Sequence, residues 1–140
     1  MTDRELLELA AKAAGYSFWY SKHGYINLVT PNGNTVACCT WWKPFDECTG
    51  EKNDPPTLYD ALQDHGNWFP LTSDGDALRL AVKLGLDLEM HGCNSTHPYA
   101  TAFDCERNIA EEEQPNDGDP FAATRRAIVR AAAEIGKALK

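Results

Sequence analysis

Six aromatic side chains fall in or beside one irregular stretch of this chain: Trp41, Trp42, Phe45, Tyr59, Trp68 and Phe69. Three of the four tryptophans are among them, so the stretch is where recognition chemistry is concentrated. Aromatic rings lose little conformational entropy when they are ordered and are enriched at binding hot spots. They also stack on nucleobases. Trp41, Trp42, Tyr59 and Trp68 are therefore the first candidates for a ligand- or partner-binding surface. The competing reading is a satellite hydrophobic cluster that pins a long loop to the rest of the fold.

Cations come second. Arg125, Arg126 and Arg130 lie close together near the C-terminus, and Arg126 and Arg130 are one helical turn apart and share a face. They could hold a phosphate or pair with the acidic stretch that precedes them. Arg126 and Arg130 join the four aromatic residues as candidate site residues.

Other constellations are weaker. Cys48, His65, His91, Cys93, His97 and Cys105 could supply zinc ligands, but there is no Cys-x-x-Cys pair and the His91-x-Cys93-x-x-x-His97 spacing is not a standard one. No motif around any cysteine supports a nucleophile with a histidine base. Asp74-Gly-Asp76 lacks the further oxygen ligands of a calcium loop, and helix capping accounts for both carboxylates. No metal, cofactor or catalytic set is expected, and the chain reads as a binding protein rather than an enzyme.

Composition narrows the partner. At 140 residues the chain has the size of one ordinary domain, and its formal charge is −8. Phosphate-backbone binding relies on clustered Lys and Arg, which are missing ahead of the last helix, so direct nucleic-acid binding is disfavoured. No segment is apolar enough to span a membrane. The start, Met-Thr-Asp-Arg-Glu-Leu-Leu-Glu, is charged and lacks an apolar signal-type run, which predicts a cytoplasmic protein. Five cysteines, an odd number without such a signal, predict reduced thiols.

The elements that must position these residues follow from periodicity and breakers. Leu6, Leu7, Ala10, Ala13 and Ala14 make an apolar stripe on a helix over 3–14, ended by Gly15. Runs at 16–20, 25–29 and 35–40, separated by polar turns with Asn32-Gly33 at the second, read as a three-stranded meander. Residues 41–71 are irregular, with a short helix over 57–64. Thr72 or Ser73 caps a helix to about Leu84, closed by Gly85. Strands follow at 86–91 and 98–105. Residues 106–118, including Glu111-Glu-Glu-Gln-Pro-Asn-Asp-Gly118, read as an acidic solvated linker. Asp119 and Pro120 open the last helix.

The order is helix, three strands, an irregular insertion at 41–71, helix, two strands, an acidic linker at 106–118, helix. This is an α+β pattern: one domain over 1–140 with a mainly antiparallel sheet of about five strands and helices packed on it.

Two stretches carry a resemblance to a known family. One is Trp68-Phe-Pro-Leu-Thr-Ser-Asp-Gly-Asp-Ala-Leu-Arg-Leu-Ala-Val-Lys-Leu-Gly85, extending to Leu88. The other is Arg125-Arg-Ala-Ile-Val-Arg-Ala-Ala-Ala-Glu-Ile-Gly-Lys-Ala-Leu139. Together they resemble small bacteriophage proteins with an ABA-sandwich domain, in which a sheet is covered by helices. The resemblance implies an alpha-beta-alpha sandwich and a phage origin but no reaction. It places the protein in the cytoplasm of the infected bacterial host. There it implies an accessory protein that counteracts a host factor or defence system. Two routes are open: sequestering a small nucleotide-like ligand, or covering a host protein. A small thiol- or metal-dependent enzyme and a structural or assembly component of the phage are the alternatives.

Overall fold

The computed structural model describes residues 1–20, 24–65, 67–91, 99–114 and 119–139. Among these residues lie four helices and two three-stranded antiparallel sheets, an α+β architecture. The expected single sheet of about five strands is replaced by two sheets, ordered β1-β2-β3 and β4-β5-β6. The chain divides into two units, Gly15–Trp68 and one built from Met1–Ala14 with Phe69–Lys140.

The Gly15–Trp68 unit is the expected meander with one helix on it. Strands β1 (Ser17–Tyr20), β2 (Tyr25–Val29) and β3 (Thr35–Trp41) pair in sequence, with Phe18 opposite Leu28 and Leu28 opposite Val36. Period-two alternation puts Ile26 and Leu28 on the inner face, both almost fully buried. Helix α2 (Leu58–His65) packs on β2 and β3 and buries Ala61 and Leu62. A reciprocal cap opens it: the Thr57 backbone N–H donates to Asp60 Oδ2 at 2.9 Å, and the Asp60 N–H donates to Thr57 Oγ1 at 3.3 Å. Much of the irregular insertion is a small ordered loop. Phe45 bridges Lys52, Asp46 Oδ1 accepts from the Cys48 and Thr49 N–H groups, and Asn53 Nδ2 donates to Lys43 O at 2.8 Å.

The other unit is organised by its last helix. Helix α1 spans Asp3–Ala14, α3 Asp74–Leu84 and α4 Pro120–Ala138; strands β4, β5 and β6 span Asp87–His91, Tyr99–Asp104 and Ile109–Glu113. All three helices start on caps. Glu5 N–H donates to Thr2 Oγ1, Asp76 N–H to Ser73 Oγ, and Phe121 and Ala122 N–H to Asp119 Oδ1. Gly85 adopts φ 67° and closes α3 through the Ala81 and Val82 carbonyls. Helix α4 buries nine residues, five of them alanine. It packs on β5 and β6 and also on α1 and α3. The expectation that the 3–14 and 73–84 helices lie on the sheet is thus corrected, because both rest mainly on α4. The nine buried positions of α4 cover most of its circumference, so it takes neighbours on several sides.

Small residues permit that arrangement. Ala100 and Ala102 of β5 are buried, as are Ala10, Ala11 and Ala14 of α1. At Gly136 a Cβ would sit 2.0 Å from the Leu9 carbonyl oxygen, so α1 and α4 touch through backbone.

The 106–118 linker is also corrected, because its first part is strand β6. Asp104 makes the turn. Its Oδ1 accepts from the Glu106 and Arg107 N–H groups at 2.9 and 3.2 Å, its Oδ2 pairs with the Arg107 guanidinium, and Asn108 takes φ 55°. Alternation then turns Ile109, Glu111 and Glu113 inward, beside Ala102 and Ala100 in the register. Two inward glutamates disguise the strand pattern in the sequence. Residues 115–118 lie outside the described residues, as do Gly66 and residues 92–98.

Two outcomes are expected. Gly136→Ala should lower the unfolding free energy by about 1–3 kcal/mol, because the clash is with backbone and α1 must move. Urea denaturation reads this, and unchanged stability would mean that the helices do not meet there. The Arg107 guanidinium, with the turn N–H groups, holds the Asp104 carboxyl below its ordinary pKa. A lowered carboxylate pKa contributes stability above the unfolded value, and that stability is lost as the pH falls below about 4. Melting temperature should therefore drop through that range, and Asp104→Asn should flatten the drop. An identical acid limb in the variant would contradict the turn's role.

Candidate functional site

The four candidate aromatic residues do not form one cluster, although all lie in the Gly15–Trp68 unit. Trp68 is buried, 8% exposed, with its ring 5.4 Å from that of Tyr16. It is core. Tyr59 is half-buried on α2. Trp42 is half-buried just past β3; its indole N–H donates to Asp54 O at 2.8 Å and its ring meets Tyr20 edge-on at 5.0 Å. Trp41 is exposed at the end of β3.

The pleat gives Trp41 company that the spacing along the chain hides. Trp41 is the register partner of Tyr25, and the rings meet edge-on at 4.7 Å and 89°. Trp19, opposite Asn27, shares their face, because residues 25 and 27 point the same way along β2. Trp19 is 53% exposed, Tyr25 50% and Trp41 48%. Phe45, in the small loop that follows β3, is also exposed. Three large rings on one face of a small sheet, each half in water, form an exposed apolar surface of this unit. Trp19 and Tyr25 escape a reading centred on the long loop. The signal that finds them is period-two alternation: Trp19 is out of phase with Phe18, and Tyr25 with Ile26.

The sheet's other side carries an open groove of about 440 Å³ lined by Ile26, Trp42, Asp54, Pro56, Asp60, Gln63 and Asp64. Its walls are apolar and its rim is acidic. The unit as a whole has Lys22, Lys43 and Lys52 against Asp46, Glu47, Glu51, Asp54, Asp60 and Asp64, and no arginine.

The candidate arginines belong to the other unit, where carboxylates hold them. Arg126 Nη2 lies 2.9 Å from Asp3, and its Nε is 3.9 Å from Glu113. Arg130 reaches Glu111 at 2.9 Å and also pairs with Glu113. The two glutamates are under one-fifth exposed at their side chains, so the pairs compensate inward-facing charge. The hydrogen bond that Arg130 donates to Glu113, ahead of the Coulomb attraction of both glutamates, raises the Arg130 pKa further above its already high value. Arg125 pairs with Asp74 at 2.6 Å and donates to Leu71 O at 2.9 Å. Asp76 accepts from the Phe69 N–H at 2.8 Å and pairs with Arg79. Asp74 and Asp76 are thus spent on the helix start.

Among the described residues, no group of three or more His, Cys, Asp or Glu is placed to hold a metal ion. Cys48 and Cys105 are free and exposed thiols. Cys93 and His97 lie outside the described residues. Among those described, no helix is long and apolar enough to cross a membrane.

Set against known proteins, the chain matches no family model, no curated protein and no solved structure. The ABA-sandwich resemblance therefore rests on the two stretches that carry it.

Proposed function

We propose that this chain is an accessory binding protein of phage origin. It works in the cytoplasm of the infected bacterium by covering a basic surface of a host protein. The observation that carries the reading is the aromatic face of Trp19, Tyr25 and Trp41, each about half exposed on one sheet. Tryptophan and tyrosine are the residues most often found as binding anchors. The carboxylate excess of the same unit, and the chain's net charge of −8, favour a partner of opposite sign and speed its encounter.

The second route, sequestration of a nucleotide-like ligand, is less well supported. Stacking rings suit a base, but a phosphate needs cations beside them. The unit that carries the rings has no arginine, and Arg125, Arg126 and Arg130 are engaged by carboxylates of the other unit. Nothing in the described residues favours a reaction.

The test is capture from bacterial lysate by the whole protein and by the Trp19→Ala/Trp41→Ala double variant. Both positions are exposed, so the variant should melt within a few degrees of the wild type. Removal of two anchors at about 1–3 kcal/mol each should reduce capture of a basic host protein at least tenfold. Equal capture by the variant would refute the aromatic face as the working surface. Release of a phosphorylated small molecule on heating the wild type would support sequestration instead.

A further inference from the structure

We propose that the groove between α2 and the inner side of the sheet is a receptor for an arginine side chain, which makes it a second anchor for the basic partner. The inference rests on the binding-protein reading above but on a different surface. Of its apolar lining, Ile26 and Pro56 are buried and the indole of Trp42 is half-buried. That ring is fixed before any ligand arrives: Asp54 O takes its N–H at 2.8 Å, and Tyr20 holds it edge-on at 5.0 Å. Asp54, Asp60 and Asp64 line the same space. Asp60 and Asp64 are one turn apart on α2 and share a face. Asp60 is held in place by the backbone N–H and hydroxyl of Thr57, at 2.9 and 3.0 Å.

An immobilised indole beside three carboxylates, Asp60 among them held in place, matches one chemistry closely. A guanidinium is planar, is weakly hydrated, stacks on an aromatic face and presents a fork of N–H donors to carboxylates. Its three-carbon stem suits the apolar walls. A groove of about 440 Å³ is of the order of those that hold small ligands and has room for such a side chain with its flanking backbone. A phosphate or a carboxylate ligand would face carboxylates there. Lysine would satisfy the charge but not the stacking.

The probe is a tri-arginine peptide, capped at both ends, titrated into the whole protein at 0.15 M salt. The readout is the four indole N–H resonances. The Trp42 resonance should move saturably, while that of Trp68 stays still. A tri-citrulline peptide, which keeps the shape and loses the charge, should bind at least tenfold more weakly, and tri-lysine several-fold more weakly. Asp64→Asn and Asp54→Asn should each weaken the tri-arginine complex at least threefold, with Asp64→Glu restoring part of the loss. Trp19→Ala/Trp41→Ala should leave it unchanged. Equal binding of tri-citrulline, or shifts that spread over all four indoles without saturating, would overturn the proposal. Those outcomes leave the aromatic-face reading standing, since it is read by capture and not by this peptide. Loss of capture in Trp19→Ala/Trp41→Ala with tri-arginine binding intact would separate the two surfaces.

Discussion

Backbone contact between α1 and α4 at Gly136 and Leu9 is the constraint on which the larger unit depends. A Cβ at position 136 would lie 2.0 Å from a carbonyl oxygen, so only glycine allows that approach. The rest follows from it. If α1 lies this close, α4 must offer small residues on the face of Gly136, and Ala132, one turn before it, is fully buried. Because the buried positions of α4 cover most of its circumference, it also takes α3 and the β5–β6 side of the sheet. Close-packed interiors gain many weak contacts from such interdigitation and tolerate little added volume. The helix is therefore the shared core of four neighbours rather than a cover on a sheet.

Charge lines one side of that core. Strand β6 turns Glu111 and Glu113 toward α4, and Arg126 and Arg130 meet them. Removing one side of such a pair strands the other and is costly, whereas the intact pair contributes little net stability. Its value here is register. A slip of β6 by one residue would turn Ala110 and Glu112 inward and leave the arginines without matched partners. The same pairing bears on function, because arginines committed to strand β6 are poorly placed to serve a phosphate ligand.

The sequence made most elements legible, for identifiable reasons. Helix α3 carries Ser73 at its start and a positive-φ Gly85 at its end, and both signals act locally. Asp119 and Pro120 mark α4 equally well. Strand β6 is less visible, since its pattern of Ile, Ala, Glu, Glu, Glu hides an inward face that only a partner helix with arginines can satisfy. The turn that creates it, Asp104 to Asn108, does have a local signature in its Asp and Asn. At the site, loop-centred reading finds Trp41 and Trp42 but assigns them to one surface. The one-residue step between them puts Trp41 beside Tyr25 and Trp42 beside Tyr20, with different neighbours. Trp68 is large and aromatic like the others, and only its burial beside Tyr16 reveals it as core.

The central functional claim is that a small sheet presents Trp19, Tyr25 and Trp41 to a protein partner while Trp68 serves the core. Radical footprinting with mass spectrometry reads each ring separately. In the free protein Trp19 and Trp41 should oxidise readily and Trp68 slowly, following their 53%, 48% and 8% exposure. In the captured complex Trp19, Tyr25 and Trp41 should become protected together. Continued oxidation of all three in the complex, with protection appearing instead on the exposed Leu78 and Val82 of α3, would contradict the account.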